Sequence, residues 1–210
     1  MNLKEIVRKE LLSEQGRKRD VIRKVIRDII IVFKNEEEGE FFLPEYFEER
    51  DEMVYDFMTM GESFVIELIM EINDEIPTFK VNAEIYNEDH SIKLIIQYNS
   101  ENKNSILYDL IGELNEVIAH ELRHIHQDIR GTYVSKSYRG KDPVKYYTQP
   151  KELDAQVYGF KRLAKLTKRP FDEVVRNWFE THRDIHQLDD KGINTVINKL
   201  FQFEREGYTG

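Results

Sequence analysis

The apolar residues of this chain change period twice, and that order limits the fold more than any other feature. Between residues 17 and 34, Val21, Ile22, Val25, Ile26, Ile29, Ile30 and Phe33 recur at helical spacing, with Arg and Lys between them. Residues 41–100 then take on strand character. The segment Phe64–Ile72 is mostly apolar and Phe79–Tyr86 alternates. In Ser91–Tyr98, Ile92, Leu94, Ile96 and Tyr98 oppose Lys93, Ile95 and Gln97. Asn87-Glu88-Asp89-His90 has turn chemistry, so the last two strands are expected to form a hairpin in an antiparallel or mixed sheet. Helical spacing returns after Asn104 and predicts helices near 105–129, 150–167, 171–187 and 192–205. Pro150 and Pro170 stand at helix starts and Gly131 at a helix end. Helices at 2–12 and 17–34 form an expected N-terminal segment over residues 1–40, and residues 41–210 form the main domain. Strands followed by helices make an α+β fold.

Charge and cysteine content narrow the chemistry. The formal net charge of the 210 residues is -9, which argues against a nucleic-acid partner because such binding needs a basic face. There is no cysteine, so disulfides, zinc ribbons and thiol catalysis are excluded. The longest apolar run, Ile29 to Phe33, is far too short for a membrane span. With no apolar signal region after Met1, the expected location is the cytoplasm, or a host cytoplasm or virion if the chain is phage-encoded.

One segment carries chemistry. Residues 120–124 read His120-Glu121-Leu122-Arg123-His124. On a helix each residue advances about 100°, so His120 and His124 lie about 40° apart on one face. Two imidazoles one turn apart can share one Zn²⁺, and Glu121 beside them can reach a water on that metal. Leu114, Ile118, Leu122, Ile125 and Ile129 form an apolar stripe about 140° away, which leaves the histidine face free for a site. His126, about 200° from His124, cannot join the same metal.

A catalytic zinc needs a third protein ligand. A third histidine at the spacing HExxHxxGxxH is ruled out, because those positions hold Gln127 and Arg130. A later helix offers Glu152 and Asp154. Helical projection sets Glu152 with Ala155, Gln156, Gly159, Leu163 and Leu166, a small or apolar face open to another helix. It sets Asp154 with Tyr158, Lys161 and Lys165, a solvated face. Glu152 is therefore the expected ligand, with Asp154 as the alternative. Gln156, one turn on, is expected either to hydrogen-bond the ligand group or to make a plain helix contact.

His120-Glu121-Leu122-Arg123-His124, with Glu152-Leu153-Asp154-Ala155 downstream of a strand hairpin, resembles the zincin metallopeptidases, specifically the gluzincin branch. The likeness covers residues 64–166 and is similar to small bacterial and phage-encoded members. It implies a zincin-like fold in which Ser91–Tyr98, the last strand before the active-site helix, borders the substrate cleft. It implies a bound Zn²⁺, a peptide or protein substrate, and Glu121 as the base that activates water. Two departures stand out: Gln156 replaces an acidic residue found in many gluzincins, and Arg123 replaces an apolar one. The SprT-like branch, which adds a cysteine zinc ribbon and binds DNA, does not fit a cysteine-free acidic chain.

Such chemistry also needs an oxyanion stabiliser. The candidates are Tyr133, Tyr138, Tyr146, Tyr147, His182 and His186, and His182 is the one selected as catalytic. His182 and His186 form a second i, i+4 pair on the apolar face of the expected helix 171–187, where a satisfied core histidine is the commoner outcome. Loop 132–148 is expected to be a cleft wall or a surface connection. A zinc-binding structural or assembly protein, for example a virion component, is the competing reading. The N-terminal helices would then dock a protein partner, or else cover the cleft.

Overall fold

The computed structural model describes residues 21–45, 55–57, 62–86, 91–133 and 141–206. The expected helix at 2–12, the turn at 87–90 and Tyr138 lie outside them. The chain divides into two compact units, Met1–Leu114 and Asn115–Gly210. The fold is α+β, with a mixed sheet followed by a long helix and a helical C-terminal part.

In the first unit, helix α1 (Val21–Asn35) buries Ile22, Val25, Ile26, Ile29, Ile30 and Phe33, the stripe that helical spacing picks out. Strands β1 (Gly39–Leu43), β2 (Tyr55–Phe57), β3 (Glu62–Ile72), β4 (Phe79–Tyr86) and β5 (Ser91–Tyr98) form a sheet of order β1-β3-β5-β4, with β2 also paired to β3. β4 and β5 are antiparallel, as the hairpin pattern predicts, whereas β3 and β5 are parallel. The parallel register sets Ile66, Leu68 and Met70 beside Ile92, Leu94 and Ile96, all buried on one face. It also sets Glu67 beside Lys93, whose charges meet at 3.2 Å on the other face. Helix α1 also buries Asp28, which accepts a 3.0 Å hydrogen bond from the Tyr55 hydroxyl of β2.

Within the sheet β5 is an interior strand, paired with β3 on one side and β4 on the other.

Helix α2 (Leu107–Arg130) carries the HExxH segment, and the boundary between the units falls within it. Its stripe residues Leu114, Ile118, Leu122 and Ile125 are buried. Gly131, at φ 60°, ends the helix in the left-handed conformation that glycine adopts without strain. The second unit continues with α3 (Pro143–Tyr147), α4 (Pro150–Thr167), α5 (Phe171–Thr181), α6 (Arg183–His186) and α7 (Asp190–Glu206). Its core gathers Leu153, Val157 and Phe160 of α4, Val174, Val175 and Phe179 of α5, and Ile193, Val196, Ile197 and Leu200 of α7.

The expected helix 171–187 is broken. α5 stops at Thr181, His182 takes φ -111° and ψ 29°, and a single turn, α6, follows. The Thr181 hydroxyl lies 2.9 Å and 3.2 Å from the carbonyls of Asn177 and Trp178, a side-chain competition that weakens helices at such points. The short helix α3 is an addition to the expected loop. Asp142 caps it by accepting from the Lys145 amide, and Pro143 opens it.

Candidate metal centre

Two helices of the second unit come together because one of them carries a glycine at the crossing. A Cβ on Gly159 of α4 would stand 2.9 Å from the Glu116 carbonyl oxygen of α2, closer than real contacts allow. Ala155, one turn earlier, is fully buried. The small face expected from the sequence is thus the face that lets α2 approach, and Glu152 sits at its start. The first turns of α4 are buried all round, from Glu152 to Val157.

This approach brings His120, His124 and Glu152 together, with one potential ligand atom from each lying within 4.8 Å of the others. The two Nε2 atoms are 3.0 Å apart, and Glu152 Oε2 lies 3.4 Å from His124 Nε2 and 3.7 Å from His120 Nε2. Glu152 Oε2 is buried and accepts no hydrogen bond. A buried carboxylate oxygen without a partner is costly unless a cation meets it. The spacings also suit a metal. Donors about 2.0–2.1 Å from a tetrahedral Zn²⁺ sit roughly 3.3 Å from one another. Two imidazole nitrogens and a carboxylate oxygen can therefore hold a metal ion here, on a helix that follows a mixed sheet.

The charges respond to this closeness. Burial alone would raise the Glu152 carboxyl, but the neighbouring imidazoles of His120 and His124 outweigh it and hold the group well below the usual carboxylate range. Burial likewise opposes the charge on His124, yet the Glu152 carboxylate, followed by Glu121, raises that imidazole above its ordinary value. Two bare lone pairs do not face each other at 3.0 Å without a proton or a cation between them.

Glu121 is half-buried beside these groups. Burial pushes its carboxyl up, only partly offset by the two histidines. Tyr146 of α3 lies beside Glu152, and burial and then the charges of Glu152 and Glu121 push its phenol far up. Burial, Glu152 and Glu116 push Tyr147 up to about 12.

Other sequence candidates take different places. His182 stacks on Trp178, with ring centroids 4.6 Å apart, and its Nδ1 lies 2.9 Å from both the Trp178 carbonyl and the Thr181 hydroxyl. His186 is buried. Its Nε2 donates to the Phe179 carbonyl at 2.7 Å and its Nδ1 accepts from the Leu188 amide at 3.0 Å. His126 lies 3.3 Å from Arg123, and burial, Arg130 and Arg123 lower its pKa. Gln156 is buried and neither amide atom has a hydrogen-bond partner, so it makes no bond to Glu152.

Asp154 corrects the helical projection. It is only 5% exposed rather than solvated. It is not one of the converging ligand groups. Its two oxygens instead accept from Arg123 Nε at 2.8 Å and Nη2 at 3.0 Å, while Gln127 Nε2 donates to Oδ2 at 2.7 Å. Arg123, the charged departure inside the motif, is thereby accounted for.

Reading the sequence alone missed the Arg123–Asp154 pair, because no local pattern shows a contact 31 residues apart. The signal for α3, and so for the placement of Tyr146, was present as Asp142-Pro143, a cap followed by a helix-starting proline. No known protein family, curated protein or solved structure matches the chain. Among the described residues no helix is long and apolar enough to cross a membrane.

Proposed function

We propose that this chain is a zinc-dependent metallopeptidase of the gluzincin type, with His120, His124 and Glu152 as zinc ligands and Glu121 as general base. The observation that carries the reading is the meeting of three ligand atoms, one of them an orphaned buried oxygen, beside a half-buried carboxyl with a raised pKa. A site that only braces the fold has no use for Glu121 in that place.

A zinc ion held by His120, His124 and Glu152 would supply Lewis acidity and would lower the pKa of a water toward neutrality. Glu121 would accept the proton given up by the attacking water. Its raised pKa matches the task, because a base whose pKa lies nearer the working pH also returns the proton more readily. The proton then passes from Glu121 to the leaving amine of the substrate. Tyr146 keeps its hydroxyl proton at neutral pH, since burial and the neighbouring carboxylates oppose ionisation. Lying beside Glu152 and Glu121, it is our candidate among the described residues to donate to a developing oxyanion. The substrate class is a peptide or protein.

The test is a peptide-library assay of zinc-loaded wild type and Glu121→Gln. Loss of general-base catalysis should slow cleavage by about 10²–10⁴-fold with one zinc per chain retained. A wild-type protein that holds stoichiometric zinc and cleaves nothing would favour the structural or assembly role.

A further inference from the structure

A zinc-binding imidazole must present a bare nitrogen to the metal, and something must hold the proton on the other nitrogen. In His124 the buried side chain of Gln127, one turn further along α2, meets this need. His124 Nδ1 lies 2.9 Å from Gln127 Oε1. An amide can be turned either way, but here its orientation is decided by its other neighbours. The second amide atom lies 3.0 Å from the Lys151 carbonyl and 2.7 Å from Asp154 Oδ2. Both of those are acceptors only, so the NH₂ end must face them and the oxygen must face His124. Nδ1 must then carry the hydrogen.

Asp154 is fixed in turn by the two-pronged contact from Arg123, and Lys151 is tied to Asp128 at 2.9 Å. A chain of contacts therefore runs from Arg123 through Asp154 and Gln127 to one ring nitrogen. Gln127 is 1% exposed, so water does not compete for these bonds.

We propose that Gln127 is a positioning residue that fixes His124 as its Nδ1–H tautomer and aims bare Nε2 at the metal, with Asp154 and Arg123 locking the amide orientation. This rests on the reading of His124 as a zinc ligand. It gives a shared purpose to Gln127, to the buried acid two residues after Glu152, and to Arg123, the charged departure within the motif. Glutamine is demanded over glutamate because the position must accept on one side and donate twice on the other.

Two measurements on full-length protein test the proposal. The first is a long-range ¹H–¹⁵N spectrum of the imidazoles in metal-free wild type and Gln127→Leu, at a pH where His124 is neutral. Wild type should show His124 as the Nδ1–H form, and Gln127→Leu should show a mixture. The second is zinc affinity by chelator competition, which Gln127→Leu should weaken about 10–100-fold. Gln127→Glu should weaken it too, and adding Asp154→Asn should recover part of the loss by restoring a donor between the two side chains. This pair keeps the test open if Gln127→Leu fails to fold. An unchanged His124 tautomer in Gln127→Leu, or no recovery in the double variant, would overturn the proposal. If wild type binds no zinc, the metallopeptidase reading fails, while the tautomer spectrum still decides the role of Gln127.

Discussion

The chain contains the same spacing twice, His120/His124 on α2 and His182/His186 near the end of α5, and the two pairs meet different fates. α2 runs unbroken through the first pair, so the rings stay one turn apart with their Nε2 atoms 3.0 Å from each other. The helix breaks at His182, and the second pair separates in role. His186 uses both ring nitrogens on backbone partners, the Phe179 carbonyl and the Leu188 amide. His124 uses only Nδ1 on a protein group outside the cluster, and its other nitrogen faces His120 and Glu152. An i, i+4 pair can thus hold a metal ion when the helix continues, when the far nitrogen is occupied by an acceptor, and when a carboxylate oxygen converges without a hydrogen bond of its own.

The sharpest way to break this comparison is to delete one ring from each pair. His124→Ala should abolish stoichiometric zinc, measured by elemental analysis after dialysis, whereas His186→Ala should keep one zinc per chain. Equal zinc loss in both variants would contradict the distinction. His186→Ala should instead cost stability. It leaves the buried Phe179 carbonyl and Leu188 amide without that partner, at about 1–3 kcal/mol for each group, which thermal or denaturant unfolding would register. A change within about 0.5 kcal/mol would mean the ring is not a core strut.

A smaller effect is expected at the helix crossing. Gly159→Ala pushes a methyl against the Glu116 carbonyl and forces α4 away from α2. The expected cost is about 1–3 kcal/mol of stability, with weaker zinc binding because Glu152 moves with the helix. Unchanged zinc affinity would separate the crossing from the site.

The pH dependence is the gentlest probe. Glu152 is depressed on folding, so its contribution in the metal-free protein is present above its unfolded value near 4.5 and is lost as pH falls through the lower folded value. His124 is raised, so its contribution is complete below 6.5 and is lost as pH rises through the higher folded value. Glu121 is also raised and becomes a growing penalty above 4.5. The metal-free protein should therefore gain most from this cluster between pH 4.5 and 6.5. Zinc competes with protons for the two imidazoles, so the rise in melting temperature on adding zinc should grow from pH 5 to pH 8. A rise that is flat across that range would argue against the two imidazoles as ligands.

What the sequence revealed follows from the reach of each signal. Period alone carried the β5 alternation, the α1 stripe and the α2 stripe, because each spans many residues and one face is buried. It did not carry β1, where only Leu43 of five residues is buried, or the three-residue β2. The apolar spacing of Val175, Trp178 and Phe179 runs straight on to His182 and hides the break that Thr181 introduces. Glu152 could be separated from Asp154 by projection, since Ala155 and Gly159 mark the face that meets α2. The solvated face inferred for Asp154 holds from Tyr158 onward, where Tyr158, Lys161 and Lys165 are exposed, but not in the first turns of α4. There an arginine from another helix reaches the acid, a contact that no local pattern records.

The central claim is that one metal sits among His120, His124 and Glu152. Anomalous diffraction at the zinc edge from crystals of the zinc-loaded protein tests it most directly. The account predicts a single strong peak within bonding distance of both Nε2 atoms and Glu152 Oε2. A peak at His182 or His186 instead, or none near His124, would contradict it.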